Sequence, residues 1–159
     1  MAVDTKESKT HAQEIDRIIS EHGATVEELI PILLDVNRIM GYLSPDAMAK
    51  IGEQLHIPSS RVMSVASFYD MLSLEPQGRH VIKFCENAPC HVEGGREVWH
   101  ALQHDLKIGL GETTKDKKWT LKTTSCIGMC AEGPVILIDD EIISHVTADK
   151  VPQILARYK

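Results

Sequence analysis

Four cysteines are the residues of this chain best suited to chemistry, and they fall into two local pairs. Cys85 and Cys90 bracket Glu86-Asn87-Ala88-Pro89, and Cys126 and Cys130 bracket Ile127-Gly128-Met129. The spacings are C-x4-C and C-x3-C, with 35 residues between Cys90 and Cys126. Thiolates in such pairs are soft ligands, suited to zinc or to iron–sulfur centres. Cysteines acting as small buried apolar residues are the plain alternative, but both pairs sit beside Pro or Gly in stretches that read as loops. Structural zinc more often uses C-x2-C turns, and a dithiol redox pair normally has C-x-x-C. Haem attachment through Cys85 to His91 would be a lengthened C-x-x-C-H that leaves Cys126 and Cys130 idle. A Rieske centre needs two histidines on one iron, and only His91 lies beside a cysteine. A [2Fe–2S] cluster on four cysteines fits best, because each iron takes two thiolates and each local pair can supply them. Gly128 and Gly133 free backbone amides to approach sulfur, and Asn87 and Ser125 are candidate hydrogen-bond donors. A zinc-stapled interaction module and a thiol oxidoreductase stay open as alternative readings of the same residues.

Ordinary elements must position those cysteines. The 159 residues are 43% hydrophobic, enough for one domain or two small ones, and the net charge is -6. That balance argues against a nucleic-acid partner, since no basic face is evident. No apolar run is long enough to cross a bilayer, and the polar residues 1–10 lack the apolar stretch of a signal peptide, so a cytoplasmic location is expected. Residues 1–10 read as a frayed tail. Ile15, Ile18 and Ile19 then mark a helix over 11–22, stopped by Gly23. Thr25 to Glu28 has the form of a capping box. A second helix follows with Leu29, Ile32, Leu33, Val36 and Met40, which Pro31 either kinks or starts and Gly41 ends. Ser44-Pro45 opens a third helix with Met48, Ile51 and Leu55 inside. Pro58-Ser59-Ser60 opens a fourth with Val62, Val65, Ala66 and Tyr69. This predicts an α+β protein whose N-terminal part is a four-helix unit with short connections. A linker is expected at Leu74 to Gly78, dividing a helical domain over 1–74 from a second domain over 75–159. The second part reads β-α-β-β-β-α: a strand from His80 into Cys85, a helix from Val92 to Leu106, a loop over 109–118 and a strand from Trp119 into Cys126. A hairpin around Asp139-Asp140 and a helix capped by Thr147 through Tyr158 complete it. Both cysteine pairs follow strands, which places the site at the strand ends.

Other features carry plainer readings. Phe68, Tyr69 and Met71 face either a partner subunit or the helical core, with the core expected. Lys115, Lys117 and Lys118 form a small basic patch that either meets an acidic partner or keeps a loop solvated, with the second expected. The histidines form no ligand pair, and no phosphate-binding loop, dinucleotide fingerprint or hydrolytic triad is present.

Cys85-x4-Cys90, followed by Ser125-Cys126-Ile127-Gly128-Met129-Cys130 and Gly133-Pro134, resembles the thioredoxin-like [2Fe–2S] ferredoxin family. More closely it resembles the branch found in respiratory complex I (its 24 kDa subunit), NAD(P)-linked hydrogenases and formate dehydrogenases. Gly41-Tyr42-Leu43-Ser44-Pro45 and Val65-Ala66-Ser67-Phe68-Tyr69 are similar to that family's helical N-terminal region. The resemblance implies a thioredoxin-like second domain carrying one [2Fe–2S] cluster on Cys85, Cys90, Cys126 and Cys130, with Pro134 in a cis peptide near the site. It also implies an electron-transfer subunit with no active site of its own. The expected partners are a flavin-bearing subunit that binds FMN and NAD(P)H, and further iron–sulfur subunits, with the complex at the inner face of a membrane or free in the cytoplasm.

Overall fold

The computed structural model describes the backbone of residues 5–158 and the side chains of residues 11–158. The chain divides between Pro76 and Gln77 into two compact units.

The first unit is helical. Helix α1 spans Thr5–Glu21, so the expected tail is helical from Thr5 onward; residues 1–4 lie outside the described residues. Lys, Glu, Ala and Gln are good helix formers, and no Pro or Gly interrupts them. A 3-10 turn over Val26–Glu28 leads into α2, Leu29–Met40. Thr25 makes no side-chain capping bond, so the expected capping box does not form. Pro31 marks the start of α2 rather than a kink: in the first turn its missing N–H is not needed. Gly41 ends α2 in the left-handed region at φ 78°, a conformation that costs glycine no Cβ strain. Helix α3 spans Pro45–Gln54 and is capped by Ser44, whose hydroxyl accepts the Ala47 N–H at 3.1 Å. Helix α4 spans Ser59–Phe68. The core of this unit gathers Ile15, Ile18, Ile19, Leu29, Ile32, Leu33, Val36, Met48, Ile51, Leu55, Val62 and Ala66, the positions expected from helical spacing. Lys50 ties α3 to α1 through Asp16, at 2.7 Å, and the Ala12 carbonyl. Tyr69 packs against this core, but Phe68 and Met71 do not: they are 79% and 61% exposed.

The second unit holds strands β1 (His80–Cys85), β2 (Trp119–Thr124), β3 (Ile136–Ile138) and β4 (Glu141–Ile143) in one sheet ordered β2-β1-β3-β4. Strands β1 and β2 are parallel, with His80 opposite Trp119 and Cys85 opposite Thr124. Strand β3 is antiparallel to both β1 and β4, with Phe84 opposite Ile136. The helical segment between β1 and β2 starts earlier than expected. It comprises a turn α5 (Ala88–Cys90), a segment His91–Gly95 kinked at Gly94, whose φ of 99° is not helical, and α6 (Arg96–Leu106). After β4 a 3-10 turn over Ala148–Lys150 runs into α7 (Val151–Leu155), which stops short of Tyr158. Thr147 makes no capping bond there; its hydroxyl pairs with the Asp149 carboxylate instead. Val98 and Leu102 of α6 pack on Ile82, Phe84, Leu121, Ile136 and Ile138, with Val151 and Ile154 of α7 in the same cluster. Among the described residues no helix is long and apolar enough to cross a membrane.

Candidate metal centre

The sheet topology decides where the cysteines meet. Parallel β1 and β2 both end at one edge, so Cys85 and the Ser125-Cys126 loop leave the sheet together. Antiparallel β3 begins at that same edge, which brings the Cys130 to Val135 segment back over the ends of the parallel pair. Cys85, the last residue of β1, is 1% exposed and donates its N–H to the Val135 carbonyl at 3.2 Å. Cys90 closes the α5 turn and is 2% exposed. Cys126 is exposed and Cys130, at the head of a 3-10 turn over Cys130–Glu132, is half-buried. Cys85, Cys90 and Val135 form a small apolar cluster with Ile127 and Met129, so side chains of the second loop pack on the first pair.

The sulfurs are electrostatically joined. Sγ of Cys126 and Cys130 lie 3.4 Å apart. Burial pushes the Cys90 thiol up, opposed by the Val135 N–H donating to its sulfur and reinforced by the Cys85 and Cys130 thiols. The Gly128 N–H, 3.4 Å from Cys126 Sγ, pulls that thiol down, and Cys130 adds to the effect. Cys130 itself is pushed up by Cys126 first, then by burial and by Cys85. All four thiols therefore fall in one network, reached from two sides.

The residues suit an iron–sulfur group. The donor set is four thiols and nothing harder. Among the described residues no three of His, Cys, Asp and Glu converge so as to hold a single ion. The second loop packs its Ile127 and Met129 side chains on Cys85 and Cys90, an arrangement suited to a group that takes two thiolates at each end. Gly128, at φ 87°, presents its N–H to sulfur as its flexibility suggested. A Cβ on Gly133 would stand 3.4 Å from Cys90 Sγ and from the Cys130 carbonyl oxygen, so Gly133 lies between the two loops. The Gly133–Pro134 peptide is cis, as expected. Asn87 makes no side-chain capping bond; its carbonyl accepts the His91 N–H at 3.0 Å. Val135 was not legible as a site residue, yet it serves both members of the first pair, accepting from Cys85 and donating to Cys90. Its position directly after Gly133-Pro134 was the one available signal.

Residues 15–159 match the family described as thioredoxin-like [2Fe–2S] ferredoxin. The chain is 39% identical over 130 residues to the E subunit of NADH-quinone oxidoreductase from Salmonella typhimurium, covering 82% of this chain and 78% of that one. The corresponding protein of Escherichia coli K12 is 38% identical over the same lengths. Among solved structures, a chain of the NAD+-reducing [NiFe]-hydrogenase in its air-oxidized state aligns with a TM-score of 0.70 at 21% identity, over 82% of this chain. The aligned part is 22% of that chain, so this protein spans about a fifth of its length.

Proposed function

Because the chain belongs to the thioredoxin-like [2Fe–2S] ferredoxin family, we propose that Cys85, Cys90, Cys126 and Cys130 hold one [2Fe–2S] cluster in an electron-transfer subunit. In this reading the protein passes single electrons to and from a flavin-bearing, NAD(P)H-binding partner in a multisubunit oxidoreductase that contains further iron–sulfur subunits. The observation that supports it is that β1 ends in Cys85 beside the end of β2, which leads into Cys126, and that Ile127 and Met129 of the second loop pack on Cys85 and Cys90. When bound, the cluster accepts and returns one electron at a time, which complements a flavin able to split a hydride pair.

The chain's own residues set the conditions for that exchange. Cys85 and Cys90, buried against Val135, Ile127 and Met129, keep water from one side of the site. The N–H groups of Gly128 and Val135 point at thiolate sulfur and favour added negative charge there, which raises the potential. Exposed Cys126 makes the second loop the edge through which electrons reach a partner. The sequence carries no dinucleotide fingerprint, so NADH oxidation is assigned to the partner. The test is spectroscopic: NADH should bleach the visible absorption of the protein only when the flavin-bearing subunit is present. Reduction by NADH alone at turnover rate overturns the assignment, as does absence of reduction with the partner bound.

A further inference from the structure

Phe68 and Met71 are 79% and 61% exposed. A lone exposed apolar residue is ordinary, but these two project from a turn fixed at both ends. Tyr69 packs against the helical core, and its ring meets that of Phe68 edge-on at 5.2 Å. The Leu72 N–H closes the turn onto the Tyr69 carbonyl at 2.9 Å, and Leu72 is itself a core residue. Ser73 is buried next to it, donating its N–H to Asn37 Oδ1 at 2.9 Å and accepting the Leu43 N–H at 2.7 Å. A knob held this way needs little ordering when it binds, and a central aromatic is the residue type that dominates interface energetics.

Charge narrows what it binds. Helix α4 ends at Phe68 with no basic residue in its last turn, so the negative end of its dipole is uncompensated by its own side chains. Asp70 stands between the two apolar residues. Residues 1–76 hold twelve of the 23 acidic residues and six of the 17 basic ones, a net charge of -6, whereas residues 77–159 hold eleven of each. An acidic unit repels a second copy of itself and an anionic lipid surface. We propose that Phe68 and Met71 form a preformed docking knob for an apolar pocket rimmed by Arg and Lys on the flavin-bearing partner subunit, a partner assignment that rests on the electron-transfer reading above.

The experiment uses the full cluster-loaded chain and the purified flavin-bearing subunit of its complex, with the affinity measured across a salt series. The double variant Phe68→Asp/Met71→Asp, and Phe68→Ser as its milder form, should bind at least about tenfold more weakly, with circular dichroism and the reduced-state EPR signal unchanged. Asp70→Lys should slow association and flatten the salt dependence. Wild-type affinity in the double variant overturns the knob while leaving the electron-transfer reading in place. So does a wild-type homodimer, seen by light scattering, that the double variant abolishes without change in partner binding. A wild-type chain that binds no flavin subunit overturns the reading itself, and the knob's partner with it.

Discussion

Gly95→Ala should destabilise the second unit and loosen Cys90. Gly95 is buried between the Gly94 kink and α6, where a Cβ would lie 2.6 Å from the Cys90 carbonyl oxygen, 3.0 Å from its carbonyl carbon and 3.2 Å from Phe84 Cζ. Two of those atoms are backbone, so no rotamer change relieves the clash. The third belongs to a buried ring that packs on Trp99 at 5.4 Å. Overpacking of this kind costs about 1–3 kcal/mol, and backbone contact puts Gly95→Ala towards the upper end. For a unit of this size each kcal/mol lowers the midpoint by roughly 4–8 °C. Both tryptophans, Trp99 and Trp119, lie in the second unit, so their fluorescence follows its unfolding without interference from the helices. The displaced Cys90 turn should also lower iron content at equal protein. Gly109→Ala is the control, because its Cβ would meet only the flexible Glu112 carboxylate, at 3.4 Å. A Gly95→Ala midpoint within about 2 °C of the control, roughly half a kcal/mol or less, would refute the reasoning.

Gly41→Ala should destabilise the helical unit by about 1 kcal/mol through backbone strain alone, since φ is 78° and nothing lies within 4 Å of the added Cβ; denaturation followed at 222 nm checks it. Asp16 is bonded first by Lys50 and then by Gln54, which hold its carboxyl below the ordinary 3.8. Its contribution is therefore present above pH 3.8 and lost as the pH falls through the lower folded value, so Asp16→Asn should flatten the acid limb of helical-unit stability below about pH 4; an unchanged slope contradicts this. Replacing Cys85, Cys90, Cys126 or Cys130 singly by Ser should lose or shift the EPR signal of the reduced protein, because a serine oxygen is a harder ligand than thiolate. An untouched spectrum removes that residue from the site.

Periodicity carried most of the fold. Ile15, Ile18 and Ile19, and Leu29 through Val36, lie buried where helical spacing put them, because one apolar stripe per helix has a single way to be covered. The strands running into Cys85 and Cys126 were legible from β-branched content and bounding turns, and the cysteine pairs from spacing alone. Capping was legible at Ser44, which caps α3, but not at Thr25 and Thr147, which do not cap, since the chain enters both segments through 3-10 turns. The early start of the helix after Cys85 was hidden by Pro89, which reads as a loop residue yet sits in a helical turn. Phe68 and Met71 share an apolar composition with the core, and only the pinned Tyr69–Leu72 turn directs them outward. Val135 acts through its backbone, which no side-chain pattern records.

The most direct test of the central claim is metal analysis joined to EPR on protein purified anaerobically from iron-sufficient cells. Two irons and two acid-labile sulfides per chain are expected, with no signal as isolated and an S = 1/2 signal after reduction. One zinc per chain, with no iron and no reducible signal, would contradict it.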